Sequence, residues 1–160
     1  MRAWFAAALL AATPALAQPA GIEVQQPWAR ATPAGARSGA VYLTLLDHGA
    51  PDQLTGASTP AAGMAMLHES REENGVARMR MLGAVPLPPG RPVTFKPGGL
   101  HVMLTELAQP LRPGTSFALT LHFARAPEVT VEVPVLGLGA AGPPPMPAPA
   151  EAVPGVKTSP

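Results

Sequence analysis

Phe117-Ala118-Leu119-Thr120-Leu121-His122-Phe123 and, five residues further on, Val129-Thr130-Val131-Glu132-Val133-Pro134-Val135 decide the fold class. In each stretch the large apolar residues fall on every second position. That period belongs to a strand with one buried face, whereas an amphipathic helix would repeat every three to four residues. Working outward, the same alternation, punctuated by Pro, Gly and Asn, predicts further strands at Ile22–Gln25, Gly39–Leu46, Gln53–Ser58, Met64–Glu69, Val76–Leu82, Val93–Phe95 and His101–Leu107. No segment carries a sustained helical pattern and no internal repeat is visible. Eight or nine short strands predict an all-β sandwich rather than a parallel βαβ architecture.

The chain has 160 residues, 22 of them Pro and 16 Gly, and no Cys. Lack of Cys excludes a disulfide scaffold, thiol redox chemistry, Fe–S clusters, Cys-ligated zinc and a blue-copper centre. Arg2, the apolar run Ala3–Leu10 and the small-residue pattern Ala15-Leu16-Ala17 read as a Sec signal peptide over residues 1–17, with export to a bacterial periplasm expected. The apolar run is short of the ~20 residues a spanning helix needs, so no membrane insertion is expected after cleavage. Removing residues 1–17 leaves 10 basic and 10 acidic side chains. Such a balance points to neither nucleic acid nor an anionic membrane. Residues 18–136 form the expected folded domain. From Gly137 the sequence turns to Gly, Pro and Ala without apolar periodicity, so residues 137–160 are expected to form a flexible tail.

Five methionines, Met64, Met66, Met79, Met81 and Met103, cluster with His68 and His101 between positions 64 and 103. Methionine often fills irregular cores, so burial is the plain reading. Strand phase argues against it at His101-Val102-Met103-Leu104. Val102 and Leu104 take the core side, and His101 and Met103 share the other face about 7 Å apart at Cα. Likewise Ala65 and Leu67 can face inward and leave Met64, Met66 and His68 outside, although Met64 and Met66 could equally be the core face. Met79 and Met81 share one face of their strand, opposite Arg78 and Arg80. Two imidazoles with one or two thioethers, and no carboxylate, make a soft donor set that suits Cu(I) better than Zn²⁺, Ca²⁺ or Mg²⁺. His48, in Asp47-His48-Gly49, reads as a turn residue and His122 as a solvent-facing one. Trp28 could shield a metal site or plug one end of the sandwich, and the plug is expected; Glu69, Glu72 and Glu73 are expected to form a solvated hairpin loop.

His68, ten residues, Met79, twenty-one residues, His101, one residue, Met103: this spacing resembles the H-x10-M-x21-H-x-M pattern of the periplasmic copper chaperone family PCu(A)C, a longer and more specific signature than most short motifs. Pro27-Trp28-Ala29-Arg30, Gly39-Ala40-Val41-Tyr42-Leu43, Asn74-Gly75-Val76 and Lys96-Pro97-Gly98-Gly99-Leu100 are also similar to that family. The resemblance covers residues 22 to 135. It implies a cupredoxin-like Greek-key β-sandwich and one Cu(I) held by His68, Met79, His101 and Met103. It further implies copper delivery toward the Cu-A centre in subunit II of cytochrome c oxidase, together with a Sco-type chaperone; a monomer is expected. Ala77 stands where many members have a second Met, which leaves Met66 and Met81 as reserve ligands. The tail carries Met146 but no His, so a single site is expected. No Ser-His-Asp spacing, carboxylate pair or phosphate loop points to an enzyme. The competing readings are a metal-free adaptor sandwich that buries its methionines, and periplasmic copper buffering without a dedicated recipient.

Overall fold

The computed structural model describes residues 21–143; the expected signal peptide and residues 144–160 of the expected tail lie outside it. Ten strands follow in chain order: β1 (Ile22–Arg30), β2 (Ser38–Asp47), β3 (Asp52–Ser58), β4 (Ala62–Glu73), β5 (Val76–Leu82), β6 (Val85–Leu87), β7 (Val93–Phe95), β8 (Leu100–Leu107), β9 (Ser116–Phe123) and β10 (Val129–Leu136). Among the described residues no helix occurs. The strands run β5-β4-β8-β2-β1-β10-β9-β3-β6, with β7 on β2. A single pair, Ala57 on β3 opposite Ala65 on β4, brings the two ends together into a closed, barrel-like sandwich. The result is the all-β, cupredoxin-like Greek-key arrangement; β1 meets β10 in parallel at Ala29 and Val135.

The decisive pair behaves as its alternation requires. Leu119 and Leu121 on β9 and Val133 and Val135 on β10 are buried, together with Val41, Leu43, Leu45, Leu54, Val102 and Leu104, in one core cluster. Full burial of each such side chain contributes about 1.5–3 kcal/mol.

Three strands differ from expectation. β1 continues to Arg30 because a bulge between Gln25 and Trp28, with Gln26 at φ 47°, absorbs one residue and lets pairing with β2 resume at Trp28–Tyr42. β6 escapes the sequence reading because Pro86 interrupts it; it lies at the end of the strand order, where a missing N–H is tolerated. β4 runs on to Glu73, so Glu69, Glu72 and Glu73 lie on a strand rather than in a loop, opposite Arg80, Ala77 and Val76 of β5. The two-residue turn is Asn74-Gly75, with φ of 54° and 75°, the left-handed pair of a type I′ hairpin. Beyond Leu82 this ribbon has no core beneath it, and Val76 to Met81 are exposed on both faces. That is why its charge density looked like a loop.

After β10 the chain turns at Gly137, whose carbonyl accepts from the Ala140 N–H. Arg30 donates two hydrogen bonds to the Ala140 carbonyl, at 3.0 and 2.7 Å. Residues 141–143 then border a cleft with Trp28 and Pro97.

Candidate metal centre

β8 is the fixed wall of the site. It lies between β4 and β2, and its inward residues Val102 and Leu104 are completely buried. His101 and Met103 therefore project from the opposite face. Although it faces away from the core, His101 is only 5% exposed. Tyr42, Met79 and Met103 line the same cleft of about 300 Å³.

A turn fixes the His101 ring. Lys96-Pro97-Gly98-Gly99 connects β7 to β8, with Pro at the second position, Gly98 at φ 78° in the third, and the Gly99 N–H donating to the Lys96 carbonyl at 3.0 Å. This is type II turn chemistry, which needs glycine where φ is positive. It aims the Gly99 carbonyl at two donors: the Ser70 N–H of β4 at 3.0 Å and His101 Nδ1 at 3.0 Å. With Nδ1–H donating, the Nε2 lone pair of His101 is free for a cation, the usual arrangement of a ligating histidine. The sequence reading did not pick out Gly99 as a functional group. Its signal was the Pro-Gly-Gly run directly before His101.

β4 forms the second wall. Antiparallel pairing with β8 sets His68 opposite His101 and Met66 opposite Met103. Ala65 and Leu67 turn inward, so the alternative in which Met64 and Met66 form the core face does not occur. The two imidazoles meet edge to face with centroids 5.8 Å apart. Burial first, and then the nearby His101, hold the His68 imidazole below the usual value of 6.5. Its neutral, ligating form consequently persists into mildly acidic solution.

β5 provides the third wall. Met79 lies opposite Ser70 and Met81 opposite His68. Neither packs: they are 55% and 68% exposed. Met79 folds back so that its Sδ stands 3.2 Å from His68 Nδ1. Two donors on one small cation, bonded at about 2.0 and 2.3 Å, stand roughly 3.5 Å apart in a tetrahedron. The His68–Met79 pair is already near that spacing. On the reverse face of the ribbon the Glu69 carboxylate is held below its ordinary value, chiefly by the hydrogen bond from Arg71, against burial and with help from Arg80. It accepts from both guanidinium groups, at 3.0 and 3.1 Å, and so braces the hairpin.

His68, Met79, His101 and Met103 thus share one face of three adjacent strands. Among the described residues no three His, Asp or Glu side chains gather as a metal cluster. The sulfur donors beside the two imidazoles on this face are the thioethers of Met79 and Met103. His48 pairs with Glu23 at 2.8 Å, and His122 with Ser58 and Glu128 at 2.9 and 2.7 Å; both lie off this face. Trp28 departs from expectation. Past the β1 bulge it is Ala29 that meets Val41 in the core, which sends Trp28 to the outer face, where its ring lies 4.6 Å from that of Tyr42. Instead of plugging the sandwich it backs Tyr42 in the wall of the cleft.

The family described as "Putative lipoprotein LpqE-like" matches residues 22–135, from the start of β1 to one residue short of the end of β10. The chain belongs to this PCu(A)C-type family. A copper-bound PCuAC domain from PmoF2 is similar over 72% of this chain and 92% of its own length, at 27% identity and a TM-score of 0.61. The solution structure of CuI-DR1885 from Deinococcus radiodurans is 32% identical, covers 76% of this chain and 81% of that one, and superposes with a TM-score of 0.60. Among curated relatives, "Putative lipoprotein Lxx21020" of Leifsonia xyli subsp. xyli is 32% identical over 123 residues, spanning 76% of this chain and 73% of that protein. Membership of the PCu(A)C-type family accounts for the shared sandwich and its non-sequential strand order.

Proposed function

We propose that this chain is an extracytoplasmic, non-enzymatic copper chaperone that binds one Cu(I) through His68, Met79, His101 and Met103. The observation that carries the reading is the convergence of two facing imidazoles, one with its Nδ1 anchored on Gly99, with a thioether 3.2 Å from the other. Such a donor set is soft and neutral, and it suits Cu(I). The copper-bound and Cu(I)-bound states of the two similar domains support it. The lipoprotein names of the family and of the curated relative support a location outside the cytoplasm, and residues 1–17 are proposed to direct Sec export to the periplasm.

Release proceeds by ligand exchange. His101 is buried, whereas Met79 is more than half exposed on a two-stranded ribbon. An incoming donor therefore displaces Met79 first and reaches the metal before His101 lets go. The recipient proposed is the Cu-A centre in subunit II of cytochrome c oxidase, with a Sco-type chaperone as co-worker.

Two measurements test this reading. X-ray absorption of the Cu(I)-loaded protein should show two nitrogen and two sulfur neighbours; an all-nitrogen or all-oxygen shell would overturn the ligand set. Incubating the loaded protein with the apo soluble domain of subunit II should move copper into the Cu-A site, read from its visible absorption. No transfer, with or without a Sco-type protein and reductant, would leave buffering as the function.

A further inference from the structure

Seven soft donors lie on one face of β4, β5 and β8, and the copper reading uses four of them. Of the remaining three, Met66 is in register with Met103, one rung along from the His68–His101 pair. Met64 follows two residues away on the same face of β4, is 48% exposed, and stands opposite Thr105. Directly opposed residues on one face of an antiparallel pair have Cβ atoms about 4.5–5.5 Å apart, within easy reach of two thioether side chains. Three thioethers thus run in a row from the His pair toward the start of β4. They do not fill the core: the inward side of the same strand is taken by Ala65 and Leu67.

We infer that Met64 and Met66, with Met103 as the donor common to both, form an auxiliary soft-cation site beside the His/Met cluster, through which Cu(I) enters and leaves. The proposal rests on the Cu(I) reading of that cluster. Thioethers alone bind more weakly than a set with two imidazoles, so the auxiliary site holds the ion only in passing. Met103 is the pivot. It shares the cleft with His101 and Met79 and is in register with Met66, so an ion can exchange His68 and His101 for Met66 and Met64 without ever being released to water. No change of oxidation state is involved, and the ligands are simply replaced one at a time.

The test uses the chain without residues 1–17, carrying methyl-13C methionine, titrated anaerobically with Cu(I) alone. With one equivalent, the methyl signals of Met79 and Met103 should move and those of Met64 and Met66 should stay. In the His68→Ala/His101→Ala variant, Cu(I) should instead move Met64, Met66 and Met103, with an affinity at least about 100-fold weaker. In a Met64→Leu/Met66→Leu variant, which keeps side-chain volume, affinity should remain within about threefold. Copper exchange between loaded and empty copies should slow at least about fivefold. Unmoved Met64 and Met66 signals in the His-less variant, or exchange as fast as in the native chain, would overturn the auxiliary site while leaving the four-ligand reading intact. Failure of Met79 and Met103 to respond in the native chain would instead defeat the four-ligand reading. The response of Met64 and Met66 would then decide the auxiliary site on its own.

Discussion

β8 and β5 contribute to the same site from opposite mechanical circumstances. β8 is sandwiched between two strands, anchored by Val102 and Leu104 in the core, and its histidine is locked by a turn carbonyl. β5 is an edge strand exposed on both faces, held by its pairing to β4 and by Arg–Glu contacts such as Arg80–Glu69. Surface ion pairs of this kind contribute only about 0–1 kcal/mol. A carrier needs both kinds of wall: one that holds a ligand in place before the metal arrives, and one that gives way when a recipient approaches. On the proposed copper reading, the difference assigns affinity to β8 and exchange to β5.

The sharpest way to break this contrast is through stability. Leu104→Ala, behind the fixed wall, should lower apo-protein stability by about 2–5 kcal/mol, whereas Met79→Ala, on the exposed ribbon, should stay within about 0.5 kcal/mol of native. Urea denaturation of the two variants reads both. Equal losses would mean that the ribbon packs after all. Next in size is metal binding. Met79→Ala should weaken Cu(I) by about tenfold, about 1.4 kcal/mol, and should do so mainly by faster dissociation, seen in stopped-flow transfer to a chelator. A change confined to the association rate would contradict the exchange role given to β5.

A smaller effect concerns protons. The folded His68 pKa lies below 6.5, so the native state takes up this proton less readily than the unfolded chain. Stability attributable to His68 is therefore fully present above about pH 6.5, declines as pH falls below that value, and is lost once pH drops through the lowered folded pKa. A ring-proton NMR titration of the apo protein should place the His68 midpoint under 6.5, and a midpoint above it would contradict the burial described here. Smallest is the ribbon's turn. Gly75→Ala forces an L-residue to φ 75°, at a cost of about 1 kcal/mol. Amide exchange should accelerate several-fold along β5 and remain unchanged on β8.

Sequence periodicity was sufficient where a core lies beneath the strand. Leu119, Leu121, Val133 and Val135 alternate because one side of each strand is apolar, and the same logic correctly separated Val102 and Leu104 from His101 and Met103. It was insufficient where no core exists to impose alternation. Residues 71–73 continue β4 through pairing with β5 alone, and charges on both faces leave no period to detect. Trp28 is buried, as a large aromatic side chain in a small sandwich should be, but the sequence could not say where, because the predicted strand stops at Gln25 and the bulge that carries β1 on to Arg30 leaves no periodic signal. The grouping of His68 with His101 was suggested by spacing, but their opposition depends on β4–β8 register, a long-range property. The Gly99 carbonyl is a backbone group, and only the turn geometry shows where it points.

The most direct test of the account is anaerobic competition for Cu(I) between the native chain and a chromophoric chelator, run beside folded His101→Ala and Met103→Ala variants. The account predicts one tight equivalent for the native protein, at least about 100-fold weaker binding when the anchored imidazole of His101 is lost, and a clear though smaller loss for Met103→Ala. No competition by the native chain, or equal competition by all three proteins, would contradict it.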